Sequence, residues 1–232
     1  MPGTLYVVAT PIGNLEDVTL RALRILQEAD AIVCEDTRTT AKLLAHHEIR
    51  TPLVAIYGRS GASVLDRLKA GGTLALVSES GTPGISDPGA DLVASAHEAG
   101  VLVRAVPGPS AVVAAAAASG LPADRFLFEG FLPRKPGKRR RLLESLAREE
   151  RTLIFYESPH RVAATLEAMR TILGDRRVVV ARELTKVFEE IRPSTIGQAV
   201  ADLKRKPARG EYVLVVAGAP KARRTRAGGE EE

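Results

Sequence analysis

The sequence predicts an α/β fold made of two consecutive domains, and three observations predict it. Short apolar, β-branched runs alternate with longer segments of helical period through the first half of the chain. Such alternation implies a largely parallel sheet with helices on its faces. Stretches rich in glycine and proline fall directly after the strand-like runs, where open α/β folds bind ligands. The pattern then changes character beyond Pro107–Gly120, which sets the domain boundary there.

The elements follow in order. LYVVA (5–9) is an unbroken apolar run and reads as a buried strand. TLRALRILQEAD (19–30) places Ala22, Ile25, Leu26 and Ala29 on one helical stripe, with Leu23 at its edge. AIVCE (31–35) is a second strand, TTAKLLAHHEI (39–49) a helix, PLVAIY (52–57) a third strand, and SVLDRLKAG (63–71) a helix closed by glycine. TLALVS (73–78) and VLVRAV (101–106) are strands separated by the helical GADLVASAHEAG (89–100). PSAVVAAAAASG (109–120) is a tight helix of small residues. DRFLFEGFLP (124–133) is a strand running into a loop, and RKPGKRRRLLESLAREE (134–150) a basic loop entering a helix. TLIFYES (152–158), RRVVVAREL (176–184) and EYVLVVAG (211–218) are strands, and HRVAATLEAMRTIL (160–173) is a helix. The expected organisation is an N-terminal α/β domain over 1–110, a C-terminal α/β domain with a more mixed sheet over 111–220, and a disordered charged tail over 221–232.

Composition narrows the function classes. Apolar residues make up 45%, enough for a core, but aromatics are only 4%, so Ala, Val, Leu and Ile must build it. Cys34 is the sole cysteine, which rules out an intrachain disulfide and suits a reducing compartment. His46, His47, His97 and His160 stand at no ligand spacing to one another or to Cys34, so no metal site is expected. The N-terminus lacks a basic segment followed by a long apolar run. The most apolar stretch, Val106–Leu121, holds two prolines and two glycines and is no spanning helix. A soluble, cytoplasmic protein is expected. A formal charge of +5 permits an anionic partner without requiring one.

Three segments have the form of ligand loops. Pro11-Ile12-Gly13 follows the first strand; glycine admits close backbone approach and proline stiffens the turn, although a plain tight turn would look the same. It is not GxGxxG, so the ordinary dinucleotide fingerprint is missing. SESGTPGISDPGADLV (78–93) is the strongest signal: a long run of turn residues between a strand and a helix, with Asp87 or its neighbour expected to cap that helix. VPGPSA (106–111) repeats the theme, with Ser110 opening the alanine-rich helix.

VATPIGNLEDVTLRAL, CEDTR, VSESGTPGISDPG, VPGPSA, FLFEGFLP, FYESPHRV and ARELTK occur in this order and spacing. Together they resemble the ribosomal RNA small subunit methyltransferase I family, within the tetrapyrrole methylase superfamily, over residues 4–218. The resemblance implies two α/β domains of the tetrapyrrole methylase type, with S-adenosylmethionine in the cleft between them. It also implies 2′-O-methylation of a cytidine in the decoding region of 16S rRNA, within the small ribosomal subunit, by a homodimer. Cofactor contacts fall, by resemblance, on Pro11, Gly13, Glu79, Gly81, Thr82, Ser110 and Ala111, with Tyr156, Ala181 and the strand at Glu211–Tyr212 as weaker candidates. The chain departs from the family's usual Ser-Asp-Ala-Gly-Thr-Pro at Glu79 and Ser80, and it stops soon after its last strand.

For the chemistry, Asp36 and Arg38 in CEDTR lie at the active edge of the first sheet beside Glu35. Glu157, His160 and Arg161 in YESPHR and Glu183 and Lys186 in ARELTK are the other candidates for a general base or a phosphate or alkoxide partner. Each has a structural alternative: Asp36 as a helix cap, His160 as a helix-start residue, Glu183–Lys186 as an ion pair. Arg134, Lys135, Lys138, Arg139, Arg140 and Arg141 put six cations in eight residues, a grip for RNA phosphates. Phe126 and Phe128 read as core, and Phe131 as either buried or free to stack on a base. A tetrapyrrole methylase and a non-catalytic RNA-binding assembly factor are the competing readings.

Overall fold

The computed structural model describes residues 3–56 and 59–220, with backbone alone at 59–62. The expected charged tail at 221–232 and Tyr57 of the third expected strand lie outside the described residues. The chain divides into two compact units: Met1–Ala115 with Glu183–Glu190, and Ala116–Arg182 with Ile191–Glu232.

In the first unit, β1 (Thr4–Val8), β2 (Ala31–Cys34), β3 (Leu53–Ala55), β4 (Thr73–Val77) and β5 (Leu102–Val106) form one sheet in the order β3-β2-β4-β1-β5. Every pairing is parallel, with Tyr6 opposite Ala75 on one side and Arg104 on the other. Alternate residues of a strand serve different cores. Ile32 and Cys34 join Ala22, Ile25 and Leu26 of α1 (Leu20–Glu28) and Leu44 of α2 (Thr37–His46). Ala31 and Val33 point the other way, to Val64 and Leu68 of α3 (Arg59–Lys69) and Ala96 of α4 (Ala90–Glu98). That is why β2 shows no polar alternation: helices bury both its faces.

This arrangement sets the position of the site. The helix after β1 goes to one face of the sheet and the helix after β4 to the other, although β1 and β4 are neighbours. Two adjacent strands whose connections part in this way leave a crevice beyond their carboxyl ends, where open α/β sheets take ligands.

The second unit carries β6 (Phe126–Phe131), β7 (Thr152–Glu157), β8 (Arg177–Arg182), β9 (Glu190–Thr195) and β10 (Tyr212–Val216) in the order β6-β7-β10-β8-β9. β6 runs parallel to β7, and β10 antiparallel to both β7 and β8, so the sheet is mixed. One face packs on α6 (Pro136–Ser145), α7 (Val162–Leu173) and α8 (Ile196–Arg205) through Leu143, Leu166, Met169, Ile196 and Val200. α5 (Ala111–Ala118) contains the boundary between the units.

Three local expectations are corrected. β9 and α8 go beyond the expected elements: Pro193 and the polar character of β9 mask a strand, and both features are tolerated because β9 is an edge. The basic segment is not a loop, since α6 starts at Pro136, with proline in the first turn where its missing N–H costs nothing. Gly89, at φ 127, fills the N-cap position of α4, where Asp87 or its neighbour is expected from the sequence.

Candidate active site

The loops after β1, β4 and β5 are tied together at the crevice. Thr10 and Gly81 exchange backbone hydrogen bonds, 2.9 Å from Thr10 N to Gly81 O and 3.1 Å in return. The Gly81 carbonyl also accepts from the Ser78 hydroxyl at 3.0 Å, and the Thr10 hydroxyl donates to Ser78 O at 3.2 Å. The Thr82 hydroxyl donates to Pro109 O at 3.2 Å, which links the second loop to the third. Gly81 sits at φ 84, and a Cβ there would lie 3.2 Å from Ile12 Cγ2. Glycine is thus favoured by the backbone conformation, and any side chain here would press on the neighbouring loop.

Pro11 is buried and Gly13 exposed in the first loop. A Cβ on Gly13 would lie 2.4 Å from Lys186 Cγ and 2.9 Å from Leu184 O, so the segment Glu183–Glu190 lies directly on this turn. Ser110 O accepts from Ala114 N–H at 2.9 Å and opens α5, with Ala111 half-buried as its first residue. Glu79 is exposed. The loops after β1 and β5, with the start of α5 and the segment Glu183–Glu190, bound a cavity of about 310 Å³, with Ile12, Asp17, Pro109, Ser110, Ala114 and Thr185 in its wall. Of these, sequence reasoning singles out only Ser110 as a site residue. A cavity of that size lies at the lower end of the range for small-molecule sites. Glycine-bared backbone, loop hydroxyls and an apolar wall suit a nucleoside-containing ligand such as S-adenosylmethionine.

Asp36 is the N-cap of α2. Its carboxylate accepts from Arg38 N–H at 2.8 Å and from the Arg38 guanidinium at 3.2 and 3.3 Å. The guanidinium, followed by the backbone bonds, holds the Asp36 carboxyl below the usual carboxylate range, which makes it a weak base. Glu35 beside it is exposed. Lys186 Nζ donates to Glu183 Oε1 at 2.9 Å in a partly buried ion pair.

In the second unit, Glu157 is 1% exposed. Its carboxylate accepts from Ser158 N–H at 2.9 Å and the Thr165 hydroxyl at 2.7 Å, and it pairs with Arg161 at 3.4 Å. Arg161 also donates to Leu132 O. A carboxylate so buried and engaged anchors Arg161 and the start of α7; it is closed to a substrate hydroxyl. His160 is exposed. Tyr156 and Ala181 both stand in register with Val213 of β10, from opposite sides. Tyr156 contacts the rings of Phe128 at 4.9 Å and Phe131 at 5.6 Å, and Phe131 is 53% exposed rather than buried. Phe126 and Phe128 are only half-buried rather than core.

The basic cluster occupies the start of α6. Arg134, Lys135, Lys138, Arg140 and Arg141 are exposed, and among the described residues only Arg140 of these is paired, with Glu144 at 2.7 Å. Arg139 is half-buried, and its Nε has no hydrogen-bond partner. Cations in a first helical turn oppose the helix dipole, whereas an anion placed there is favoured by both. Among the described residues no group of His, Cys, Asp and Glu could hold a metal ion, and no helix is long and apolar enough to cross a membrane.

A doubly covered parallel sheet with three loops tied together at its switch point, and a unit with a mixed sheet, are the features of the class that the comparisons define. The family model for Tetrapyrrole (Corrin/Porphyrin) Methylases matches residues 4–200. The solved structure of a cobalt precorrin-4 methyltransferase shares the fold, with a TM-score of 0.68 at 21% identity over 92% of this chain and 94% of that one. Relatives narrow the class. A ribosomal RNA small subunit methyltransferase I from Synechocystis is 51% identical over 94% of this chain and 80% of its own length. One of the same name from Thermotoga maritima is 46% identical over 93% of this chain and 99% of its own length. The chain belongs to the ribosomal RNA small subunit methyltransferase I family of methyltransferases.

Proposed function

We propose that the protein uses S-adenosylmethionine to methylate the 2′-hydroxyl of a cytidine ribose in the decoding region of 16S rRNA, within the small ribosomal subunit, and that it does so as a cytoplasmic homodimer. The observation that carries this reading is the near-half identity to rRNA small subunit methyltransferases along almost the whole chain. The free cations at the start of α6 support an RNA substrate, since three or more unpaired cations in two helical turns match successive phosphates.

The turns at Pro11, Gly13, Gly81, Thr82, Ser110 and Ala111 would form the bed of the cofactor, with Gly81 locking two of them together through its backbone bonds to Thr10, and with the exposed Glu79 beside them as the acidic candidate. When bound, the cofactor supplies an electrophilic methyl with a good leaving group. The protein's task is then chiefly to place the ribose oxygen in line and exclude competing water. Arg38, 89% exposed at its side chain, and Lys186 are the cations of the first unit suited to hold a phosphate beside the target sugar.

The test is incubation of the purified protein with methyl-labelled S-adenosylmethionine and small subunits that lack the modification, followed by nuclease mapping. Label on a cytidine ribose is expected. Label on a tetrapyrrole and none on RNA would overturn the reading in favour of the small-molecule methylases, and cofactor binding with no transfer would favour an assembly factor.

A further inference from the structure

The cavity among the first unit's loops contains two side-chain oxygens that the fold leaves unused. Asp17 Oδ2 and Thr185 Oγ1 both belong to cavity-lining residues, both are buried, and neither has a hydrogen-bond partner. Buried polar atoms are almost always bonded, because leaving one unbonded costs the free energy of its lost water. Two such atoms at a single cavity are accounted for by a ligand that bonds both.

The backbone supports the same conclusion. Thr185 is held at φ 66, a conformation that β-branched residues rarely adopt, and such strain concentrates at ligand clamps. Gly13 makes the placement feasible, since a Cβ there would come within 2.9 Å of Thr185 Oγ1. The lining also selects the ligand chemistry. Asp17 is its only charged residue, so a phosphate is repelled. Ile12, Pro109 and Ala114 offer apolar walls. A neutral group that carries hydroxyls on a flat, partly apolar ring fits both properties, and a carboxylate is the acceptor that open α/β folds present to ribose hydroxyls.

We propose that this cavity is a ribose subsite, in which Asp17 Oδ2 accepts a hydrogen bond from one furanose hydroxyl and Thr185 Oγ1 bonds a second. The inference rests on the proposed function, which brings two riboses to the protein, one in the cofactor and one in the target nucleotide. The hydroxyl chemistry is shared, and the experiment separates the sources.

Affinities are measured by calorimetry for wild type, Asp17→Asn and Thr185→Val. The probes are S-adenosylhomocysteine, its 2′-deoxy and 3′-deoxy forms, and a decoding-region oligoribonucleotide with and without one deoxyribose at the target position. Wild type is expected to favour the intact sugar in one ligand by about ten-fold or more, the scale of a hydrogen bond to a charged group. Asp17→Asn is expected to lose that preference while binding the deoxy ligand as wild type does. Loss confined to S-adenosylhomocysteine assigns the subsite to the cofactor ribose; loss confined to RNA assigns it to the target. Both variants should melt no lower than wild type, because neither removes an internal bond. A preference that survives in both variants, or is absent from wild type in every ligand, overturns the proposal. Labelling of subunits by wild type, together with that negative result, would sink the subsite alone. Cofactor binding without any labelling would remove the proposed function yet leave the S-adenosylhomocysteine arm decisive.

Discussion

Gly81→Ala is the sharpest probe of the loop assembly, because its cost can be split. At φ 84 an alanine is forced into the left-handed region, at about 1–2 kcal/mol. Stiffening of the unfolded chain offsets about 0.4–1 kcal/mol of that, so the net loss of stability is about 1 kcal/mol. The new methyl also meets Ile12 Cγ2 at 3.2 Å and Pro109 O at 3.6 Å. The first approach requires the Pro11-Ile12-Gly13 turn to give way by a few tenths of an ångström. Gly100→Ala is the matched control: it lies in the same unit at φ 70 with nothing within 4 Å of its Cβ, so it bears the backbone cost alone. Both variants should melt a few degrees lower, the shift expected for about 1 kcal/mol in a unit of this size. Only Gly81→Ala should weaken S-adenosylhomocysteine binding in calorimetry, by about ten-fold or more, with Gly100→Ala within about two-fold. Equal affinity losses, or wild-type affinity in Gly81→Ala despite its lower melting point, would refute the assignment of this loop to the cofactor.

Other outcomes follow from the same geometry. Replacing Lys138, Arg139 and Arg141 with glutamine should reduce the slope of log affinity against log salt for an rRNA fragment by about 0.7–0.9 for each phosphate no longer neutralised, whereas Arg140→Gln, whose cation is shared with Glu144, should change it less. Asp36→Asn keeps a good helix cap but removes the charge, so melting and S-adenosylhomocysteine affinity should hold while turnover on subunits falls; unchanged turnover would leave Asp36 a cap only. Burial pushes the Cys34 thiol up, so a maleimide should label it at about pH 8 only as fast as the protein unfolds. The Arg151 guanidinium and backbone N–H hold the Glu149 carboxyl at about 2. Because the folded value is depressed, the pair's stabilisation is present above the ordinary carboxylate range and is lost as pH falls toward about 2. NMR titration should find Glu149 there, and higher in Arg151→Gln, though still below the ordinary range because the backbone N–H of residue 151 remains bonded to it.

How legible each part is depends on whether a residue's environment is encoded by its own neighbours. β2 and β4 are plain because helices cover both faces, leaving unbroken apolar runs. α1 is plain because its buried residues, Ala22, Ile25 and Leu26, fall on one stripe. α8 carries the same signal in Ile196, Ala199 and Val200 and is obscured only by the polar, proline-containing β9 before it. The turn-rich loops after β1, β4 and β5 can be read because turn residues are local in sequence. Asp17 and Thr185 cannot: they are distant in the chain, and only the fold brings them to one cavity. Glu157 misleads in the opposite sense. Its residue type suggests a base, but Ser158, Thr165 and Arg161 occupy it, and no local pattern reveals that.

The departure of this chain from its family's usual loop sequence also has a physical reading. The Gly81 loop acts largely through its main chain: Thr10 and Gly81 bond each other by backbone groups, and the Ser78 and Thr82 hydroxyls reach carbonyls rather than side chains. Glu79 and Ser80, where the chain differs, are exposed and take no part in those bonds. Lengthening an acid by one methylene at a solvent-facing position leaves the ties among the three loops intact. Substitution at Gly81, or loss of the Ser78 hydroxyl, strikes the ties themselves. A loop built this way tolerates variation in charge and length on its outer side while remaining intolerant at the positions whose backbone it needs. The departure at Glu79 and Ser80 is therefore compatible with a working cofactor loop, and the double substitution Glu79→Asp with Ser80→Ala should change cofactor affinity far less than Gly81→Ala.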